Sequence, residues 1–167
     1  MLSGTPLKPE ALNPNLTSAD PTSLFWRFSG ASKGEPAFLE VETGDALSQE
    51  ALAERIRCFA SHLAELGVQA GSRVVLHLYN SIDAIVAHMA IHYLGGVTCF
   101  VDALVQPRSL GHYLRATEGR VLLTHVDPSA LEQDSRSGVH VVPASTIAGL
   151  SRTPASVACP ERPDAFD

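Results

Sequence analysis

The chain is poor in positive charge, and the positive charge that it has is scattered. It carries 12 lysine and arginine residues against 18 aspartate and glutamate residues, for a formal net charge of −6. Only Lys8 and Lys33 are lysines, and the tightest cationic pair is Arg55 with Arg57. Proteins that bind nucleic acids or anionic membranes concentrate basic residues in patches. We therefore expect neither a nucleic acid nor a membrane as partner.

Cysteine is also sparse, and long apolar runs are missing. Cys58, Cys99 and Cys159 are far apart and form no Cys-x-x-Cys pair, which favours reduced thiols in a cytoplasmic protein. The N-terminus lacks the basic start and apolar run of a secretory signal. Apolar stretches are interrupted by His or Gly too early to span a bilayer. What remains is a chain of 167 residues, 45% hydrophobic and 18% charged, which is typical of one globular domain.

Composition divides the chain into three regions. Residues 1–35 contain several prolines and little periodicity, and are predicted to form an extended arm with a short docking helix around residues 24–28. Residues 36–150 alternate between strand and helix patterns. Residues 151–167 are rich in proline and are predicted to be a linker or tail.

Hydrophobic periodicity and turn signals predict the order of the elements in the middle region. They are a strand at 36–41 closed by a turn at 43–45, a helix at 48–66, a strand at 73–79, a helix at 82–94, a strand at 97–101, a helix from 107 to about 118, a strand at 121–125, a short helix at 128–133 and a strand at 139–142. This alternation predicts an α/β fold, a mainly parallel sheet with helices on both faces.

Each long helix has a predicted start, end and inner face. Ser48 is the expected N-cap of the first helix and Gly67 its left-handed end, while Asn80 and Ser81 are expected to cap the second and Gly119 to end the third. The expected inner positions are Leu52, Ile56, Phe59, Leu63 and Leu66, then Ile82, Ile85, Val86, Met89 and Tyr93, then Leu110, Tyr113 and Leu114.

An ordered run of short motifs resembles one enzyme superfamily. The motifs are Leu47-Ser-Gln-Glu-Ala-Leu52, Leu63-Ala-Glu-Leu-Gly-Val68, Gly71-Ser-Arg-Val-Val-Leu76, Asn80-Ser81, Leu94-Gly-Gly-Val97 and, later, Leu110-x-x-Tyr113-Leu114 with Val121-Leu-Leu-Thr124. Together they resemble the N-terminal subdomain of the AMP-forming ligases, which include acyl-CoA synthetases, peptide-synthetase adenylation domains and luciferases. The resemblance covers about residues 22–150. Each motif also serves folding, so it indicates the fold more firmly than the activity.

The resemblance implies an ATP-dependent activation of a carboxylate to an acyl-adenylate, followed by acyl transfer to a thiol or amine. Complete members use ATP and Mg and hold the phosphates with a Ser/Thr/Gly-rich loop ending in Pro-Lys. The nearest segment here, Gly30-Ala-Ser-Lys-Gly34, precedes the predicted core. The sequence also departs from the family pattern at Ser72 and at Phe100–Asp102. We therefore assign no catalytic, cofactor-binding or metal-ligating residue and expect no independent catalysis.

Two histidines of the second predicted helix are candidates for a metal site. His88 and His92 are four apart on a helix and could form a metal pair, but Met89 stands where the metalloprotease motif needs glutamate and no third ligand is evident. They are interpreted as histidines of the helix surface or of a subdomain interface.

The remaining candidates have plain structural interpretations. His77 and His125, on predicted strands, are expected to be buried and hydrogen-bonded. Asp102 follows a strand, where parallel sheets place ligands, but is interpreted as a turn residue. Cys99 is interpreted as a small core residue. Ser109 and His112 lie three apart without an acidic partner, which makes a nucleophile unconvincing.

Two functions are carried forward. The first is the N-terminal lobe of an adenylate-forming ligase, inactive alone, as a subunit of a split enzyme or as a fragment. Its partners would be a complementary ligase subunit or a second copy, and a carrier protein. The second is a non-catalytic module that binds a full ligase or carrier protein. An unrelated flavodoxin-like or receiver domain is disfavoured, because Tyr79-Asn80 and His125-Val126 do not supply the acidic residues that receivers need.

Overall fold

The computed structural model describes residues 36–41 and 43–152. The strands are β1 (Pro36–Leu39), β2 (Ala46–Ser48), β3 (Arg73–His77), β4 (Val97–Phe100), β5 (Val121–Thr124) and β6 (His140–Pro143), and the helices are α1 (Gln49–Glu65), α2 (Ile82–Tyr93), α3 (Leu110–Thr117), α4 (Gln133–Arg136) and α5 (Ala144–Arg152). The predicted docking helix at residues 24–28 lies outside this range, as do Gly30–Gly34 and Cys159. No helix of the described part is long and apolar enough to cross a bilayer.

Strands β3 to β6 form a parallel sheet in the order β4-β3-β5-β6. Val74 lies opposite Thr98 on one side and opposite Val121 on the other, so β3 is paired along both edges. Each strand is followed by a helix that returns to the opposite end of the sheet. The α/β class and the parallel sheet predicted from the sequence are therefore confirmed. The short strands β1 and β2 pair separately as an antiparallel hairpin.

Both faces of the sheet are covered, because alternate side chains of each strand point to opposite faces. Val74 and Leu76 face one core, which α1, α2 and α5 cover, while Val75 and Leu122 face a second core under α3. All four of these side chains are buried. Strands buried on both faces are nearly continuous in apolar residues, as the sequence pattern indicated.

Helix α1 starts and ends where the sequence predicts. The Ser48 side chain accepts a hydrogen bond from the Ala51 N–H at 3.2 Å, a cap of the kind that contributes about 1 kcal/mol. Gly67 follows the helix with φ +84°, a conformation that favours glycine. Of the predicted inner residues, Leu52, Ile56, Phe59 and Leu63 are buried, whereas Leu66 is only half-buried. A part-buried ion pair between Arg55 and Asp83 then joins α1 to α2.

The inner face predicted for α2 covers too few of the residues that the structure buries. Ser81 caps the helix by accepting from the Ala84 N–H at 3.2 Å, as expected, but Ile85 and Met89 are only half-buried. The residues that the structure buries along α2 are Ile82, Val86, Ala87, Ala90, Ile91 and Tyr93. The reason is that α2 packs against α1 and α5 as well as against the sheet, so more than one stripe of the helix is buried.

Two predictions for α3 were wrong. Tyr113 is exposed rather than part of the inner face, which Leu110 and Leu114 form. The left-handed residue that ends the helix is Glu118, with φ 54°, and not Gly119. Gly119 is there because of space, since an added Cβ would lie 2.9 Å from a methyl carbon of Val75.

The remaining differences concern element ends and weak patterns. Strand β3 ends at His77 rather than Tyr79, and the predicted helix at 128–133 is a 3-10 turn (Pro128–Ala130) followed by the separate helix α4. Helix α5 was not predicted. Its one fully buried side chain, Ile147, is flanked by Ser, Thr, Ala and Gly, a composition that gives almost no periodic signal.

Gly96 offers a direct test of the tight approach between α2 and the sheet. An added Cβ would lie 3.0 Å from Cγ2 of Ile91, 3.1 Å from the Ile91 carbonyl oxygen and 3.2 Å from the Ser72 carbonyl oxygen. Two of these atoms belong to the backbone and cannot yield cheaply. Gly96→Ala should therefore lower the free energy of unfolding by about 1–3 kcal/mol, as measured by urea denaturation.

The matched control is Gly149→Ala on helix α5, where an added Cβ would meet nothing within 4 Å. Alanine is favoured over glycine inside a helix, so this change should stabilise the protein by about 0.5–1 kcal/mol. No loss of stability in Gly96→Ala, or a loss of stability in Gly149→Ala, would contradict the packing described.

Candidate functional site at the carboxyl edge of the sheet

Polar and aromatic side chains gather where the parallel strands end. His77 closes β3, Thr124 closes β5, and Tyr79, Asp102 and His125 follow these strands or β4. The carboxyl ends of parallel strands meet at one edge of a sheet, which is where open α/β sheets bind their ligands. This edge is therefore the candidate site.

His77 is the central residue of the cluster, and it is fully buried. Its Nδ1 lies 2.9 Å from Oγ1 of Thr124. The same Oγ1 accepts the Val126 N–H at 3.1 Å. Because the Thr124 hydroxyl can donate as well as accept, this contact fits either neutral tautomer of the imidazole. A side-chain hydrogen bond thus ties the end of β3 to the end of β5, as the predicted role of a buried, hydrogen-bonded histidine requires.

The other nitrogen of this ring has no partner that meets hydrogen-bond geometry. Nε2 of His77 is buried and without such a partner among the described residues. Burial lowers the pKa of His77 below 6.5, and the nearby charge of His125 acts in the same direction, against weaker opposing effects of the Val105 and Ala103 backbone and of Asp102. His77 is accordingly neutral at pH 7 and is suited to a structural role rather than to proton exchange with solvent.

His125 and Tyr79 continue the cluster toward the surface. Both the backbone N–H and Nδ1 of His125 lie near the His77 carbonyl oxygen, at 3.2 and 3.1 Å. The His125 ring lies 4.6 Å from the His77 ring and 4.2 Å from the Tyr79 ring, centroid to centroid. His125 is half-buried rather than buried as predicted, and it follows β5 rather than lying on it, while Tyr79 is exposed. The result is a stack of three rings that runs from the core to the surface of the sheet edge.

Asp102 is a turn residue, as predicted. Its carboxylate accepts the Leu104 N–H at 2.8 Å and its backbone carbonyl accepts the Val105 N–H at 2.9 Å. Leu104 in this turn is 80% exposed, and Phe100 at the end of β4 is 67% exposed. The segment after β4 therefore presents apolar surface, and the Asp102 carboxylate is engaged within the turn.

His88 and His92 come together on α2, but as a pair rather than as a metal centre. Their ring centroids are 4.4 Å apart, and Nδ1 of His88 lies 3.0 Å from Oγ1 of Thr98. Phe100 packs at 5.1 Å from His88. Burial, and then the charge of His92, lower the pKa of His88. Among residues 36–41 and 43–152, no group of three or more His, Cys, Asp or Glu side chains could hold a metal ion.

The last candidates remain apart. Ser109 and His112 are both exposed, and the His112 ring contacts Tyr113 at 5.7 Å rather than Ser109. Cys99 is half-buried and packs against the second core, close to its predicted place. Ser72, one of the departures from the family pattern, accepts the Gln69 N–H at 3.0 Å and so shapes the turn before β3.

Comparison with known proteins decides the family. The profile of the AMP-binding enzyme family matches residues 25–163. The chain belongs to the AMP-binding enzyme family. The resemblance expected from the short motifs is confirmed over most of the chain.

Curated relatives of this family member are ligases. A long-chain-fatty-acid–CoA ligase of Yersinia pestis is 35% identical over 97 residues, which is 56% of this chain and 17% of that protein. An L-proline–[L-prolyl-carrier protein] ligase of Pseudomonas fluorescens is 44% identical over 64 residues, which is 38% of this chain and 13% of that protein. The chain thus spans less than a fifth of the length of these relatives.

Solved structures share the fold of this AMP-binding chain. The N-terminal domain of FACL13 from Mycobacterium tuberculosis matches with a TM-score of 0.71 at 18% identity, over 85% of this chain and 37% of that domain. The N-terminal subdomain of NpsA from Klebsiella oxytoca matches with a TM-score of 0.67 at 18% identity, over 89% of this chain and 35% of that subdomain. A fused adenylation–PCP di-domain from the same organism also matches, with a TM-score of 0.67 at 19% identity, over 79% of this chain and 24% of that one.

Sequence reasoning missed how the carboxyl edge is held together. It singled out His77 and His125 but not Thr124, which supplies the hydrogen bond, nor Tyr79, which extends the stack. One signal was available, because a threonine at the end of the apolar run Val121–Thr124 must find a polar partner if it is buried.

Burial of neutral His77 predicts a pH dependence of stability. Its folded-state pKa lies below 6.5, so as pH falls below that value the unfolded chain takes up a proton that the folded chain does not. The free energy of unfolding should therefore fall as pH is lowered from about 7.5 to about 5.5, by at most about 1.4 kcal/mol per pH unit for one such group. Urea denaturation across this range measures the slope.

His77→Gln should flatten that slope, although part of it remains because the pKa of His88 is lowered too. The control Ile147→Val destabilises the core by about 0.5–1.5 kcal/mol without changing a titratable group, and should keep the slope of the unaltered chain. Identical slopes for His77→Gln and the unaltered chain would show that folding does not lower the pKa of His77.

Proposed function

We propose that this chain is the N-terminal lobe of an ATP-dependent adenylate-forming ligase. The complete enzyme would activate a carboxylate to an acyl-adenylate and then transfer the acyl group to a thiol or an amine. The observation that carries the proposal is the family match over residues 25–163, together with a fold shared with the N-terminal domains of FACL13 and NpsA.

Within that enzyme, the described part of the chain would act as scaffold and as one wall of the site. The His77–Thr124 pair and the bonded His125 are engaged with each other, which fits a rigid edge better than a reacting group. Tyr79, Phe100 and Leu104 are 55%, 67% and 80% exposed. Exposed apolar side chains of this size suit a surface covered by a second chain or by another part of an enzyme.

The described residues do not fit Mg-ATP by themselves. Lys8 and Lys33 are the lysines of the chain, and both lie outside the described residues. No cluster of three or more metal-binding side chains occurs at 36–41 or 43–152. A triphosphate needs clustered amides and cationic side chains. The proposal therefore assigns ATP and Mg to the complementary part of the ligase, whether a separate subunit or further sequence of the same chain.

A carrier protein is one proposed acyl acceptor of the complete enzyme. The adenylation–PCP di-domain that shares this fold joins an adenylation unit to a carrier protein in one chain.

The net charge of −6 and the scattered basic residues favour neither a nucleic acid nor a membrane as a partner. The widely spaced cysteines support a cytoplasmic location for the enzyme.

A second candidate is a non-catalytic module that binds a full ligase or carrier protein. It is favoured by Phe100, which is exposed and lies in the stretch Phe100–Asp102, where the sequence departs from the family pattern. A complete ligase that binds this chain in a pull-down and remains fully active without it would support the module over the lobe.

The main proposal predicts that residues 1–167 alone do not catalyse ATP–pyrophosphate exchange. The purified chain should stay at background with fatty, aryl and amino acids as substrates, because the proposal assigns ATP and Mg to the complementary part of the ligase. A complete long-chain-fatty-acid–CoA ligase serves as the positive control under the same conditions.

Calorimetry with Mg-ATP is the second measurement and should show no saturable binding. Exchange that depends on a particular carboxylate would overturn the assignment of ATP to the complementary part. It would leave the family membership intact, since that rests on the sequence match.

A further inference from the structure

Strand β4 is an outer strand, and no strand within residues 36–41 and 43–152 pairs with its outer edge. The order β4-β3-β5-β6 leaves one side of β4 without a strand partner within the described residues. The residues Val97–Phe100 include no charge and no proline, whereas the opposite outer strand, β6, ends in Pro143. Soluble proteins usually blunt outer strands with charge, proline, bulges or cover. The β4 edge is therefore suited to pair with a further strand.

The register with β3 shows which backbone groups are available. The N–H groups of Val97 and Val101 donate to the Ser72 and Leu76 carbonyls of the β3 side, at 2.8 and 2.9 Å. Since alternate residues of a strand direct their backbone groups to opposite sides, the N–H and C=O of Thr98 and Phe100 point away from β3. Within the described part of the chain, the outer edge of β4 thus offers two donors and two acceptors.

The side chains around this edge are apolar and exposed. Phe100 is 67% exposed, Val97 is 48% exposed and Leu104, in the turn after the strand, is 80% exposed. The His88 ring of α2 packs 5.1 Å from Phe100. The nearest acidic residue along the chain, Asp102, has its carboxylate engaged with the Leu104 N–H. Pairing at this edge would bury apolar surface as well as satisfy backbone groups.

We propose that the outer edge of β4 is the contact surface for a second copy of this chain. The two β4 strands pair antiparallel about a two-fold axis at Cys99, which joins the two sheets into one. A second copy fits because the strand carries no charge, so two chains that each have a net charge of −6 meet there without opposed carboxylates. The inference does not depend on the proposed ligase activity.

The spacing of the free groups makes this pairing self-complementary. With the axis at Cys99, Thr98 of each copy lies opposite Phe100 of the other, and both pairs exchange N–H···O=C bonds. Cys99 then faces the second copy's Cys99 at a position without backbone hydrogen bonds, where antiparallel Cα atoms are about 4.5 Å apart. Disulfides form at Cα separations of about 4.4–6.8 Å, so the pair can be trapped by oxidation.

The first experiment is oxidation of the full chain with diamide, in which two thiols lose two protons and two electrons as diamide is reduced to the hydrazine. A covalent dimer, seen on a non-reducing gel and mapped by mass spectrometry to a Cys99–Cys99 peptide, is expected. Cys99→Ser should abolish it and Cys58→Ser should leave it unchanged. A cross-link through another cysteine, or none, would overturn the geometry.

The second experiment is sedimentation at chain concentrations up to about 0.5 mM. High concentrations are needed because an interface formed by two four-residue strands is near the weak end of the specific range of interface sizes. Phe100→Glu places a charge at the edge and should raise the dimer dissociation constant at least about tenfold, or about 1.4 kcal/mol. The matched control Val41→Glu, at a residue that is 88% exposed in the β1–β2 turn, should leave dimerisation unchanged.

Circular dichroism of each variant separates loss of pairing from loss of folding. A chain that stays monomeric throughout, a dimer that Phe100→Glu leaves intact, or a monomer whose Thr98 and Phe100 amides are protected from hydrogen exchange would each overturn the proposal. The last outcome would mean that another segment of the chain covers the edge.

Discussion

Pairing of β3 along both of its edges is the constraint on which the rest of the structure depends. Its side chains Val74, Val75, Leu76 and His77 are all buried, and they alternate between the two cores. A parallel strand can be placed in this way only if helices cover both faces of the sheet. The positions of α1, α2 and α5 on one face and of α3 on the other follow from that requirement.

The same constraint creates the candidate site and explains its chemistry. Burying β3 to its last residue carries an imidazole into the interior, where its charged form is disfavoured. Thr124 of the neighbouring strand offers the partner for one nitrogen, and His125 and Tyr79 extend the contact to the surface. Side chains engaged with each other in this way hold the edge in place, which fits a scaffold role within an AMP-binding ligase.

Sequence reasoning recovered the features that depend on strong local signals. Ser48 and Gly67 mark the ends of α1, and the apolar runs of β3 and β5 mark strands buried on both faces. It was less successful where tertiary contacts decide. The wide burial of α2 depends on two neighbouring helices. The left-handed residue after α3 is Glu118, directly before Gly119, where an added Cβ would meet Val75.

The candidate site was predictable only in part, for a similar reason. The sequence indicated a buried, hydrogen-bonded His77, but its partner Thr124 lies 47 positions away and becomes a neighbour only through the pairing of β3 with β5. Helix α5 was missed because, among its described side chains, Ile147 is fully buried and Leu150 only half-buried, which gives almost no periodic signal. Contacts of high sequence separation leave no periodic trace in one chain.

Native-state hydrogen exchange, followed residue by residue, tests the central position of β3 most directly. The amides of Val75 and Leu76, buried at the middle of the sheet, should exchange only through global unfolding, with free energies equal to the value from urea denaturation. Exchange of these amides at much lower free energies, while the amides of α1 remain protected, would contradict the account, because β3 could then not be the strand that holds the two cores together.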